Sequence, residues 1–240
     1  FGHPTIWIIA LVTGICLGAA IGALQGALIS FLEIPAFIVT LGGYLVWRGA
    51  AWWVASGRTV APMDQTYQLM GGGALGSIGA MWSWILCAAI CVGIALVILS
   101  GRRQRRRFNF PLRPVWAEVF LTAVGCAVAI GAIWVANSYP WPRGVAQAWA
   151  EAHNVTIPPE GLFISTGVAI PVLIALGVGI VVTFIANRTR FGRYVFAIGG
   201  NPEAAELAGI RTRWVLVRVF MLMGALAGVS AAIGTARLNA

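Results

Sequence analysis

Six apolar stretches, at about 6–31, 35–55, 81–100, 115–136, 162–186 and 214–235, leave this chain few folds to choose from. Each is long enough to carry a helix across about 30 Å of hydrocarbon. Inside hydrocarbon the backbone must satisfy its own hydrogen bonds, so such stretches become helices. Charged residues make up 10% of the 240 and hydrophobic ones 60%, too few charges for a water-soluble domain of this size. No soluble domain fits between the stretches. The expected fold is all-α: a polytopic transmembrane helical bundle of about six spans, a single membrane domain over residues 1–240. With six crossings Phe1 and Ala240 land on the same, outer side, which suggests the core of a longer membrane protein cut at both ends.

Charge orients the bundle. All 16 basic residues are Arg. They concentrate in Gly101–Pro114, GRRQRRRFNFPLRP, and in 187–213, which carries Arg188, Arg190, Arg193, Arg211 and Arg213. By the positive-inside rule both segments face the cytosol, and 56–80 and 137–161 face outward. Trp52, Trp53, Trp82, Trp84, Trp116, Trp134 and Trp214 lie near stretch ends, where indoles favour the interface. The net charge of +9 does not indicate nucleic acid, because RRQRRR follows a span directly and reads as a topogenic anchor touching anionic membrane lipid.

Within the spans, Gly14, Gly18, Gly22 and Gly26 recur every four residues and predict a groove for another helix. Gly71-Gly72-Gly73-Ala-Leu-Gly76 lacks the Lys-Ser/Thr of a phosphate loop and reads as a flexible connection; no nucleotide-hydrolysing motif occurs elsewhere. Cys16, Cys87, Cys91 and Cys126 read as small apolar fillers. His3 and His153 both lie outside the spans, so an intramembrane hydrolase or metal centre lacks its parts, and no cofactor or metal is expected. Arg48 is the sharpest single residue, because an ionisable group in a span implies function unless it snorkels past Trp52 and Trp53. With Phe37 and Thr40 on the same element it is a candidate for a substrate path. Glu118 and Arg218 are expected to snorkel at span ends, and no Asp falls in a span, which weighs against ion-coupled transport.

The segment Phe191–Ile210, FGRYVFAIGGNPEAAELAGI, holds a short isolated helix. Asn201 can cap it, Pro202 suits the first helical position, Glu203 suits the positive end and Gly209 offers a left-handed stop. About seven helical residues, roughly 10 Å, are marginal alone in water. Ala204, Leu207 and Ala208 form a flat apolar face with Glu203 and Glu206 beside it, the pattern of a docking knob for a partner. Val145–His153 is expected to form a surface helix.

Three stretches resemble one family, the permease subunit of bacterial ATP-binding-cassette importers for monosaccharides of the ribose/xylose type. Ile34–Pro62, IPAFIVTLGGYLVWRGAAWWVASGRTVAP, is similar to the family's Pro-x-Phe-Ile-Val-Thr-Leu block, later Arg-Gly and Gly-x-Thr-Val-x-Pro loop. Phe191–Ile210 is similar to its FGR…AIGGN-x-EAA-x-L-x-GI loop, and GRRQRRR looks like the insertion of the xylose-type members. The chain departs at Gly167-Val-Ala-Ile-Pro171, which lacks the first proline of the family's Gly-x-Pro-x-Pro, and in a longer outward loop at 137–161.

The resemblance implies a non-catalytic, multi-pass subunit of the bacterial inner membrane that moves a monosaccharide, most nearly a xylose-like pentose. It implies three partners: a separate ATPase subunit, a second permease copy as a homodimer, and a periplasmic sugar-binding protein. The cytosolic loop 187–213 would couple to the ATPase through Gly199, Gly200, Asn201, Glu203, Ala204, Ala205, Leu207 and Gly209. Another small solute, such as a nucleoside, is the alternative within the same fold. A membrane-embedded enzyme is disfavoured by the missing His and Asp, and a purely structural membrane subunit is a further possibility.

Overall fold

The computed structural model describes residues 5–59, 61, 63–153 and 162–238. Within these, ten α-helices follow in order: α1 (Ile6–Phe31), α2 (Ala36–Val54), α3 (Gln65–Gln68), α4 (Gly79–Arg107), α5 (Val115–Ser138), α6 (Arg143–Ala152), α7 (Ile170–Arg188), α8 (Arg190–Gly200), α9 (Pro202–Leu207) and α10 (Thr212–Leu238). Among the described residues the only β-pairing is three isolated bridges. The protein is an all-α polytopic bundle. Five helices, α1, α4, α5, α7 and α10, are long and apolar enough to cross a membrane. The remaining apolar stretch is α2, 19 residues long and less apolar because it carries Arg48 and three tryptophans.

Two boundaries differ from those expected. The stretch at 162–186 becomes helical only at Ile170. Before it, Gly167 has φ +74° and bridges to Gly79. Pro171 then fixes the backbone for a first helical turn and needs no donor there. The basic run after the third stretch is not a loop either: α4 continues through Arg107, with Arg105, Arg106 and Arg107 in its last turn. Arg and Gln are good helix formers, and cations favour the negative helix end.

The chain forms two compact units, one of Phe1–Gly71 with Leu173–Ala240 and one of Gly72–Val172. In the first, α1 and α10 run antiparallel in close contact. A Cβ on Gly18 would strike the carbonyl of Gly224, one on Gly22 that of Phe220, and one on Gly228 that of Gly14. Each step of four along α1 is thus answered by a step back along α10. The small residues let two backbones meet where lipid gives no hydrophobic drive to associate. Tyr67, Met70, Ala232 and Ala236 form a buried cluster at the far end of α10. Gly71 belongs to this packing, since a Cβ there would meet the backbone of Ala236 and Arg237. The glycine run therefore begins as a close-packed turn, not the flexible connection expected.

In the second unit α4 and α5 pair. Arg102 Nη1 donates to Glu118 Oε2 at 2.6 Å, and the Glu118 side chain is 12% exposed. Glu118 is thus half-sheltered and paired with a guanidinium one helix away. Ser83, fully buried, donates to the Gly79 carbonyl at 2.6 Å and accepts from the Val168 N–H at 2.8 Å. The surface helix expected at 145–153 is α6, with Ala146 and Ala150 buried and Trp149 stacked on His153.

Candidate functional site

The 187–213 segment folds as two helices where one was expected. Thr189 caps α8, its hydroxyl accepting from the Gly192 N–H at 3.3 Å. Gly192 allows the turn from α7, because a Cβ there would enter the backbone of Ile185 and Ala186. Gly199 and Gly200 end α8 and are exposed. The short helix is thus preceded by another. The signal was in the sequence: a Thr cap followed by half-buried Phe191, Val195 and Ile198 at helical spacing.

Next comes α9, six residues capped at both ends. Asn201 Oδ1 accepts from the Ala204 N–H at 3.0 Å, Pro202 occupies the first turn and Glu203 lies beside the positive end. At the other end Gly209 has φ +81°. Its N–H donates to the Glu206 carbonyl at 2.8 Å, and the Ile210 N–H to the Ala205 carbonyl at 3.0 Å. These two bonds make a Schellman motif, which closes the last open carbonyls and needs a left-handed residue at Gly209.

The faces of α9 are sorted by burial. Leu207 is 91% exposed and Ala205 only 4%. Glu203, Ala204 and Ala208 are exposed. Ala205 is therefore packed against its own chain and is not part of the outward apolar face. Glu206 is tethered by the Thr212 hydroxyl, and Arg213 Nη2 reaches Glu33 Oε1 at 2.9 Å. Phe31 and Trp214 meet edge to face at 5.4 Å between centroids. The knob is thereby tied to the start of α10, which is in turn held to the end of α1.

A cavity of about 630 Å³ lies along α1 and α10. Its polar and aromatic lining comes from Gln25, Thr40, Trp47, Tyr67, Phe220 and Thr235. Gly43 leaves room for the Gln25 amide, which would collide with any Cβ at that position. Tyr67 Oη and Thr235 Oγ1 are 2.7 Å apart. Among the described residues no acidic or basic side chain lines the cavity.

Of the three path residues read from the sequence, Thr40 lines this cavity. Its hydroxyl donates to the Ala36 carbonyl at 2.9 Å. Phe37 is 74% exposed, and Arg48 is exposed on α2. Arg48 does not face the interior of the described bundle: Nη1 donates to Tyr44 Oη at 2.9 Å, and the guanidinium lies 5.9 Å from the Tyr44 ring. One turn of helix brings Tyr44 beneath the charge, and this local partner holds Arg48 at the surface. Gln25, Trp47, Tyr67 and Thr235 were not singled out from the sequence. They come from four elements, and no linear pattern links them.

Among the described residues no three His, Cys, Asp or Glu side chains gather to hold a metal, and Cys16, Cys87, Cys91 and Cys126 are free thiols.

A family model described as "Branched-chain amino acid transport system / permease component" matches residues 69–240. The chain belongs to this permease family. The permease is 29% identical to the xylose transport system permease protein of Haemophilus influenzae, over 97% of this chain and 54% of that protein. It is 30% identical to the xylose transport system permease protein of Escherichia coli K12, over 97% of this chain and 52% of that one. It is 42% identical to the fructose import permease protein of Rhizobium meliloti, over 73% of this chain and 57% of that protein. The chain thus spans about half the length of these curated relatives. No solved structure matches it. The resemblance to sugar-importer permeases is upheld by these relatives, and the permease is a multi-pass inner-membrane protein.

Proposed function

We propose that this permease is the core of the membrane subunit of an ATP-binding-cassette importer carrying a monosaccharide, most nearly a xylose-like pentose. The observation that carries this reading is α9: six residues, locked by an Asn cap and a Schellman stop, offering Leu207 to solvent. A helix this short is marginal unless fixed, and Leu207 with exposed Ala204 and Ala208 makes one apolar face that a partner could cover. In our reading a separate ATPase receives Leu207, Ala204 and Ala208, while Gly199, Gly200, Asn201, Glu203, Ala205 and Gly209 shape the loop. The permease itself is non-catalytic. A second permease copy completes the path, and a periplasmic binding protein delivers the sugar.

The solute class is supported by the cavity along α1 and α10. A branched-chain amino acid is a zwitterion and would need charged partners once desolvated. The lining has none among the described residues. It has an amide, hydroxyls and the indole of Trp47, groups that suit a neutral polyol with one apolar face. We place the path there, with Thr40 on its wall and Arg48 and Phe37 outside it.

The test uses the full-length permease co-expressed with its ATPase. Leu207→Asp should lose the ATPase on purification and with it all uptake. Gln25→Ala should keep the ATPase yet lower uptake of labelled xylose. Retention of the ATPase by Leu207→Asp would defeat the docking reading. Uptake of leucine in place of xylose would defeat the sugar reading.

A further inference from the structure

A second cavity, of about 460 Å³, opens at the start of α10 beside α8 and the turn after α9. Arg211, Trp214, Val215 and Arg218 line it at helical spacing, i, i+3, i+4 and i+7, so they share one face. Val215 is buried, and Tyr194 of α8, 40% exposed, stands opposite. Both arginines are exposed, and neither has a carboxylate partner among the described residues. The nearby acids are already engaged, Glu33 by Arg213 and Glu206 by the Thr212 hydroxyl. Two guanidiniums without an ion-pair partner among the described residues, and a phenol, thus line one volume.

We propose that this cavity binds the phosphodiester headgroup of an anionic membrane phospholipid. Guanidinium matches phosphate oxygens in a two-pronged geometry, and an anionic headgroup, unlike choline, brings no cation of its own to repel the two arginines. Membrane lipid is favoured over a soluble phosphate by position. The charged mouth lies at the first turns of a helix long and apolar enough to span, and the same face continues into Met221 and Leu222. Trp214, 52% exposed, is the kind of side chain that settles at the headgroup level. The acyl chains would run along that apolar continuation. This site is separate from the arginines at the end of α4, and it does not rest on the sugar-importer reading.

The full-length permease in lipid nanodiscs, released into native mass spectrometry, provides the test. One tightly held phosphatidylglycerol per chain is expected, in preference to phosphatidylcholine. Arg211→Gln/Arg218→Gln should bind that lipid roughly thirtyfold more weakly, from two lost surface cation contacts. Arg211→Lys/Arg218→Lys should fall between the unaltered protein and the double Gln variant, because it keeps the charge and loses the two-pronged geometry. Should the double Gln variant prove unstable, Arg218→Gln alone should weaken retention about fivefold. Equal retention by the Gln variants, or equal retention of phosphatidylcholine by the unaltered protein, would overturn the proposal. Displacement of the lipid by inorganic phosphate at millimolar concentration would reassign the site to a soluble anion and overturn it as well.

Discussion

Asn201, Ala205 and Leu207 sit within seven residues of one another and do three different things. Asn201 satisfies a helix-end donor, so Asn201→Ala should cost about 1 kcal/mol of local stability. The check is faster hydrogen exchange at the Ala204 amide, which loses its acceptor, with no loss of membrane insertion. Ala205 is buried in its own chain. Ala205→Arg would force a charge into that contact, at a cost of several kcal/mol to the loop itself. It should open the 200–212 segment to limited proteolysis, whereas Leu207→Asp should leave the cleavage pattern unchanged while removing the docking face. Equal protease resistance in both variants would contradict the sorting of faces. Arg48 is exposed and bonds to Tyr44 on its own helix. Arg48→Gln should therefore lower sugar uptake less than Gln25→Ala does, measured in the same full-length background.

The helix pair α1–α10 shows what a repeated small residue achieves at the next scale. Gly18, Gly22, Gly224 and Gly228 each face the other helix's backbone with no room for a Cβ. Gly18→Val should overpack the crossing and cost about 1–3 kcal/mol, visible as a lower melting temperature of the full-length protein in detergent. Gly42 on α2 meets nothing within 4 Å of an added Cβ. Gly42→Ala should be neutral or gain about 0.5–1 kcal/mol from reduced chain entropy. A similar loss from both variants would mean that the glycines serve helix flexibility and not the crossing. The same scale explains α8, whose Thr189 cap and apolar spacing make a helix of residues expected to lie outside the short one.

For the whole molecule, orientation is the open physical quantity, and the charge pattern sets it. Gln104 lies in the basic end of α4 and Gln147 on α6, and both are exposed. The span α5 separates them in sequence, so a single crossing puts them on opposite sides. In a background without native Cys, Gln147→Cys should react with an impermeant thiol reagent added outside intact cells. Gln104→Cys should react only after lysis. Labelling of both from outside would reverse the cytosolic assignment of the arginine-rich segments and, with it, the side on which α9 could meet an ATPase.

Much of this was decided by the sequence alone, because the deciding interactions are local or imposed by solvent. Hydrocarbon forces the backbone that crosses it into helices whatever the neighbours are. Asn201, Pro202 and Gly209 act within one or two turns, so the ends of α9 could be read to within a residue. Pairing and facing could not be read that way. Whether the glycines of α1 meet α10, or lipid, depends on residues some two hundred positions away. Arg48 shows the same limit: a charge in an apolar run shows its depth in sequence but not its azimuth. The cavity is the extreme case, since Tyr67 and Thr235, in hydrogen-bond contact on its wall, are 168 residues apart. Only the tertiary structure brings that wall together: small residues let α1 and α10 approach, and the packing of Tyr67 and Met70 on Ala232 and Ala236 sets α3 against the end of α10.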